Sequence, residues 1–270
     1  MKKEAVNQQS IYVHIDHVIN NVATSGISFC DFLNGVGQPP ENILLIKHNI
    51  EDASYNAHTA FHYLEPGDLA NISKENFNPL CWIDFEDVEL LNQLTPQEVA
   101  EMLYLAHTGR HLRSPFYYKL QNNFVYLTRE DGRYNKVYYR NLNHFYMLLS
   151  YVIARKTAEL VNEKGIFSFG KKKYVAEPPV ELLKKMADHF KDGACIALDD
   201  VVRTRTQIEV PIGHGLTEEM TELEISSKIY YEEEVAKLVY ELKQNEWKYI
   251  EKEKIKLFPL RLVFYLLKFN

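Results

Sequence analysis

The sequence predicts an α+β fold in which antiparallel hairpins pack against several helices. Strand-like runs come in neighbouring pairs rather than alternating strictly with helices. Asp131-Gly132, a dipeptide typical of tight hairpin turns, joins two aromatic strand-like runs. With 270 residues, 46% of them apolar, the chain is long enough to bury a core. We expect a single α+β unit over 1–270, with 166–179 as the candidate for a sub-domain boundary.

The first elements are short. Residues 11–22 alternate loosely between apolar and polar side chains, which fits a strand or a short helix. Residues 43–47 form an apolar strand-like run. A helix that Asn49 or Asp52 can cap is expected next, and it must end before Pro66.

A buried strand over 80–85 is followed by a well-marked helix. Its start is a capping box, Thr95-Pro96-Gln97-Glu98, with proline at the first helical position. Gly109 is placed to end the helix, because glycine readily takes the left-handed conformation at a helix C-terminus. We therefore expect a helix over roughly 96–108.

The hairpin around Asp131-Gly132 has two faces if Glu130 pairs with Arg133. We expect the first face to point into the core, and it carries Phe124, Tyr126, Val137 and Tyr139. The opposite face carries Val125, Leu127, Arg129, Tyr134, Lys136 and Tyr138.

The second half of the chain begins with a long apolar helix over 142–163. Pro178-Pro179 then leads into an amphipathic helix that ends at Gly193. Strands are expected over 194–198 and 201–210, followed by a helix over 231–251. The apolar run 257–270 is too short to cross a bilayer and is expected in the core, as a strand or a helix.

Charge is unevenly distributed along the chain. The formal net charge of −6 argues against a protein that coats nucleic acid or anionic membrane with its whole surface. However, residues 110–140 contain seven bases against two acids, together with six tyrosines. The stretch just before it, 84–101, contains six acids and no base. The segment 110–140 is therefore the strongest local departure from the average.

Arginine forks bind phosphate or carboxylate groups, and tyrosine rings stack on bases. The leading hypothesis is a binding protein whose segment 110–140 contacts a phosphate-bearing ligand, nucleic acid or an acidic partner. The expected anion-binding residues are Arg110, His111, Arg113, Arg129, Arg133 and Lys136, with Tyr134 and Tyr138 as stacking residues. Alternatively, the acidic stretch pairs with these bases, or the charge reversal forms a structural or protein-interaction interface.

Histidines four residues apart occur twice, in AHTAFH (57–62) and AHTGRH (106–111). On a helix, His58 and His62 would lie one turn apart with Glu65 on the same stripe, a ligand set that suits a divalent metal. A metal-dependent enzyme that uses this helix is the alternative function, against a plain solvated helix face. In the second copy Gly109 separates the histidines, so we expect no helical pair there.

The compartment follows from cysteine usage and from the first residues. Three widely spaced cysteines without a C-x-x-C motif are expected to be reduced thiols. The start, MKKEAVNQQS, lacks the apolar run of a signal peptide, so a cytoplasmic protein is expected. No catalytic motif frames a nucleophile. The sequence leaves open whether the protein is an enzyme, which ligand it binds and its oligomeric state.

Overall fold

The computed structural model describes residues 9–38, 40–46, 61–64, 67, 81–129, 134–162, 174–215 and 231–252. These residues form one large open sheet in which every described pair of strands is antiparallel. Several helices pack on the sheet, which confirms the α+β class, although the sheet dominates the structure. The predicted hairpins thus join one continuous sheet.

Twelve strands are described. They are β1 (Ile11–Asp16), β2 (Asn21–Ser25), β3 (Asn42–Ile46), β4 (Phe61–Leu64), β5 (Cys81–Phe85), β6 (Phe124–Arg129), β7 (Tyr134–Tyr139), β8 (Ala194–Ile196), β9 (Val202–Arg203), β10 (Gln207–Gly215), β11 (Tyr231–Glu241) and β12 (Glu246–Glu251). Their order across the sheet is β12-β11-β10-β8-β1-β2-β7-β6-β5-β3-β4, and β9 pairs with β10 beside this path. Because β8 pairs with β1, strands from both sides of 166–179 lie in the same sheet.

Six α-helices are described, most of them short. They are α1 (Phe29–Gly35), α2 (Val88–Leu91), α3 (Pro96–Thr108), α4 (Asn143–Asn162), α5 (Val180–Lys184) and α6 (Ala187–Lys191). The capping box at Thr95 and Glu98 is formed as predicted, and Gly109 ends α3 in the left-handed conformation at φ 66°. Every helix in the described ranges is too short or too polar to cross a bilayer.

The larger core lies on one face of the sheet. Side chains alternate along β1, so Ile11, Val13 and Ile15 point to this face. Helix α4 covers them together with α1, α5 and α6. Phe124, Tyr126, Val137 and Tyr139, the hairpin face predicted to be internal, lie in this core.

A smaller core lies on the opposite face, where α3 covers part of the sheet. Met102, Leu105 and Ala106 of α3 pack with side chains from β3, β5, β6 and β7. The second face of the β6–β7 hairpin is therefore also partly internal, and it buries Val125 and Tyr138. Strand β5, with side chains in both cores, is buried along its whole length, as predicted for residues 80–85.

Two predicted helices are wrong where the structure can be compared with them. Residues 231–251 form the hairpin β11–β12, in which the alternating Ala236, Leu238 and Tyr240 enter the larger core. His62 lies in strand β4, paired with Leu45 of β3, and not on a helix. The loosely alternating residues 11–22 form β1 and the start of β2, which pair as an antiparallel hairpin. The apolar run 257–270 lies outside the described residues.

Candidate anion-binding surface

The site expected from the basic segment begins where α3 ends. The Gly109 N–H donates to the Leu105 carbonyl at 2.8 Å, which closes the last turn. The Thr108 hydroxyl donates to the Tyr104 carbonyl at 2.7 Å and accepts from the Arg110 N–H at 3.1 Å. These bonds turn the chain sharply, so Arg110 and His111 leave the helix beside strand β7.

Lys136 and Tyr138 of β7 contact this helix end. The Tyr138 hydroxyl donates to the Gly109 carbonyl at 3.1 Å, and Lys136 Nζ donates to the same oxygen at 3.4 Å. Carbonyls at a helix C-terminus carry partial negative charge, which these donors offset. Lys136 Nζ also lies 5.1 Å from the centre of the Tyr138 ring. Lys136 is thereby held at a defined position next to Gly109, the residue that precedes Arg110.

Tyr138 does not fit its predicted role as a stacking residue. Its side chain is only 1% exposed and belongs to the smaller core. The ring is covered by α3, so no ligand can stack on it while α3 is in place. Tyr134 is half-buried and remains a candidate stacking residue.

Among the described residues of the segment, Arg110 and His111 carry polar side-chain atoms without a partner. Arg110 is exposed, and the described residues provide no ion-pair or hydrogen-bond partner for its guanidinium group. The His111 ring packs edge-on against Tyr138 with ring centres 5.5 Å apart. Its Nδ1 atom is buried and has no hydrogen-bond partner within the described structure. A buried polar atom without a partner costs about 1–3 kcal/mol, which a ligand or water could offset.

Other bases of the segment have partners in the protein. Lys119 Nζ lies 2.8 Å from Glu98 and donates to the Gln93 carbonyl. Arg113 lies 3.7 Å from Glu101 but is 74% exposed. The acidic stretch before the segment therefore does pair with some of its bases. Burial opposes ionisation of Glu98, but hydrogen bonds from Lys119 and Thr95 outweigh it and lower the pKa of Glu98.

Arg140 has a structural position at the far end of the hairpin. Its Nε donates to the Asn122 carbonyl at 2.9 Å, and its guanidinium carbon lies 5.0 Å from the centre of the Phe116 ring. Arg129 pairs with Tyr134 in the β6–β7 register, but its side chain is outside the described structure, as is all of Arg133. Arg110, His111 and Lys136 are thus the predicted residues that the structure brings together, and we call them the α3-end surface.

The predicted metal ligands stand apart from this surface. His62 lies in β4, so the helical spacing that joined it to His58 does not apply, and His58 and Glu65 lie outside the described residues. Among the residues that can be placed, no group of three or more histidine, cysteine or acidic side chains could hold a metal ion. The metal site therefore stays a prediction without structural support.

A second candidate site, which the sequence did not reveal, surrounds Asp84 at the end of β5. Asp84 is buried beside a cavity of about 230 Å³ whose lining includes Glu41, Glu86 and His144. Its carboxylate accepts hydrogen bonds from the backbone N–H groups of residues 123 and 124 at 2.8–2.9 Å. Burial raises the pKa of Asp84 to about 6 in spite of these bonds. A carboxyl group that titrates near neutrality can transfer a proton.

In the sequence, Asp84 is only one of six acids in an acidic stretch. What sets it apart is its contact with backbone groups that lie about 40 positions further along the chain. A single charged residue inside the buried run CWIDF is the one signal that could have pointed to it. The chain matches no protein-family model, no curated protein and no solved structure.

Proposed function

We propose that the protein binds a phosphate-bearing ligand at the α3-end surface. The observation that carries the proposal is the exposed Arg110 guanidinium, which lacks a partner among the described residues and directly follows Gly109, whose carbonyl Lys136 contacts. A guanidinium group offers paired N–H donors that match two oxygens of one phosphate. Lys136 and Tyr138 already offset the partial charge of the helix end, which would otherwise repel an anion.

The test is a charge reversal at Arg110. Binding of a fluorescently labelled oligothymidylate and of inorganic phosphate is measured for the unmodified protein and for Arg110→Glu. Losing one charge-assisted contact should weaken phosphate binding by about 10- to 100-fold. For the oligonucleotide, the slope of log affinity against log salt concentration should also become shallower by about one, as expected for the loss of one phosphate contact.

Arg205→Glu is the matched control. Arg205 is also exposed and without a partner in the described structure, but it lies next to β9, far along the chain from the α3 end. Its reversal changes the net charge equally and should leave the affinity within about twofold. Equal losses in the two variants, or no binding of either probe, would contradict the proposal.

A protein partner with an acidic surface is the second candidate, because exposed apolar side chains flank the same loop. Leu112 is 62% exposed and Tyr118 is 93% exposed. Apolar groups next to free basic groups are typical of protein interfaces and add little to phosphate binding. An acidic peptide is tested in the same experiment. If it binds while phosphate and the oligonucleotide do not, the acidic protein partner is favoured over the phosphate-bearing ligand.

A further inference from the structure

A second cavity lies beside the larger core, between α4 and residues 174–178. It has a volume of about 410 Å³, within the range of roughly 300–1,000 Å³ that small-molecule sites occupy. One wall is a stripe of α4 at helical spacing that includes Tyr151, Ala154, Arg155 and Ala158. The cavity is open at the two alanines because their side chains are small, and the larger side chains of the stripe form its border.

The other wall is an extended segment that the core holds in place. Trp247 Nε1 donates to the Ala176 carbonyl at 2.6 Å, and the Ser150 hydroxyl donates to the Pro178 carbonyl at 2.6 Å. Val175 is buried in the larger core. With its backbone tied at these points, the segment presents Tyr174 and Glu177 to the cavity, so the site is formed before any ligand arrives.

Among the residues that the structure describes, carboxylates outnumber basic groups around the cavity. Arg155 lies 2.8 Å from Asp31 and 2.5 Å from Glu159, so two carboxylates face its single positive charge. Glu177 adds a third carboxylate, which has no partner among the described residues. Burial raises the pKa of Tyr151, and the charges of Asp31, Glu177 and Glu159 raise it further against the opposing effect of Arg155.

Lys156 is a second described basic group close to Asp31 and Glu159, and it is not part of the cavity lining. It is buried, and burial lowers its pKa. The cavity lining therefore combines two tyrosine rings, small apolar side chains, an arginine paired with two carboxylates, and a carboxylate that is unpaired among the described residues. This combination attracts cations, because the face of an aromatic ring is negative and a nearby carboxylate adds a full charge.

We propose that this cavity binds a small organic cation, an ammonium group on an apolar body. The ammonium group would lie between the ring of Tyr174 and the carboxylate of Glu177, and the apolar body would lie on Ala154 and Ala158. The site is independent of the α3-end surface, with which it shares no residue.

Isothermal titration calorimetry with benzyltrimethylammonium tests the proposal, with benzyl alcohol and benzoate as the neutral and anionic comparison compounds. The cation should bind more tightly than either. Tyr174→Ala should weaken its binding by about 3- to 30-fold, whereas Tyr174→Phe keeps the ring and should bind nearly as well. Glu177→Gln should weaken it by about fivefold or more, with less effect at high salt.

Glu181→Gln is the matched control for Glu177→Gln. Glu181→Gln removes the same charge four residues further along the chain. The described partner of Glu181 is Lys184, and Glu181 does not line the cavity. Its substitution should change the affinity less than twofold. The proposal is overturned if benzoate binds as well as the cation, if the two glutamate variants lose affinity equally, or if no probe binds. Unchanged thermal unfolding of the variants confirms that the fold is intact.

Discussion

The two ends of the basic segment 110–140 are used differently. At the end near Arg140, Asn122 and Arg140 are bonded to backbone carbonyls, and Asp84 accepts hydrogen bonds from the N–H groups of residues 123 and 124. At the other end, Arg110 and His111 keep polar atoms that the described protein does not pair. A charge excess in a sequence therefore does not measure binding capacity. Only the charges that folding leaves unpaired are available to a ligand.

The largest expected effect is at the bonded end. Asn122 is fully buried, accepts from the Tyr117 N–H at 2.7 Å, and donates to the carbonyls of Pro115 and Phe124. Asn122→Ala leaves these backbone groups unpaired, so we expect a loss of about 3–4 kcal/mol in the free energy of unfolding. Urea denaturation measures it.

The exposed Asn92 serves as the control for this change. Asn92→Ala removes no described side-chain bond and should cost less than about 0.5 kcal/mol. If the two alanine variants were equally stable, the bonded end would not hold the fold as its geometry indicates.

The next effect is a dependence of stability on pH. Because the pKa of Asp84 is about 6 in the folded protein and 3.8 is its ordinary value, the folded state holds this proton to higher pH than the unfolded chain. This contribution to stability is complete below about pH 4 and is lost as the pH rises through 6. The shift corresponds to about 3 kcal/mol.

Asp84→Asn removes this titration while its single amide oxygen can still accept from residues 123 and 124, as Oδ1 of Asp84 does. Urea unfolding between pH 4 and pH 7.5 should show that the unmodified protein loses stability relative to the variant. Glu86→Gln, in the lining of the same cavity, should leave the pH profile unchanged. Parallel profiles for the unmodified protein and Asp84→Asn would show that the carboxyl titrates normally.

The smallest expected effect is a difference in coupling energy between two ion pairs that involve glutamates of α3. Lys119 and Glu98 are 2.8 Å apart with side chains 28% and 26% exposed, whereas Arg113, 3.7 Å from Glu101, is 74% exposed. Double-mutant cycles should give a coupling of about 0.5–1 kcal/mol for the first pair. The second pair should give a value near zero, because water screens it. A larger coupling for Arg113 and Glu101 would mean that Arg113 is committed to the fold and not available to a ligand.

Much of the fold could be predicted from local signals. The capping box at Thr95, the end of α3 at Gly109 and the β6–β7 register all depend on residues close in the chain. The helix predicted over 231–251 was wrong because the apolar residues of this stretch fit both the 3.6-residue period of a helix and the two-residue period of a strand. The turn before β12 also contains neither glycine nor proline, and Asn245 takes the positive φ of 59° instead.

The candidate site was only partly visible. The sequence pointed to Arg110, His111 and Lys136, because a run of bases can be counted without a structure. It could not show that α3 covers Tyr138. It also could not show that Lys119 pairs with Glu98 or that Arg140 is bonded to the Asn122 carbonyl. Nor could it identify the Asp84 site or the cavity beside α4, because the residues that form each of them are separated in the chain.

The sequence by itself determined the α+β class, the helix boundaries with capping signals and the basic segment, since each follows from neighbouring residues and their periodicity. Only the tertiary structure decided that the hairpins join one sheet, which bases stay unpaired and where cavities remain. Those properties depend on long-range contacts such as the one between Asp84 and Phe124. Packing selects such contacts from many sterically allowed alternatives, and no local pattern encodes them.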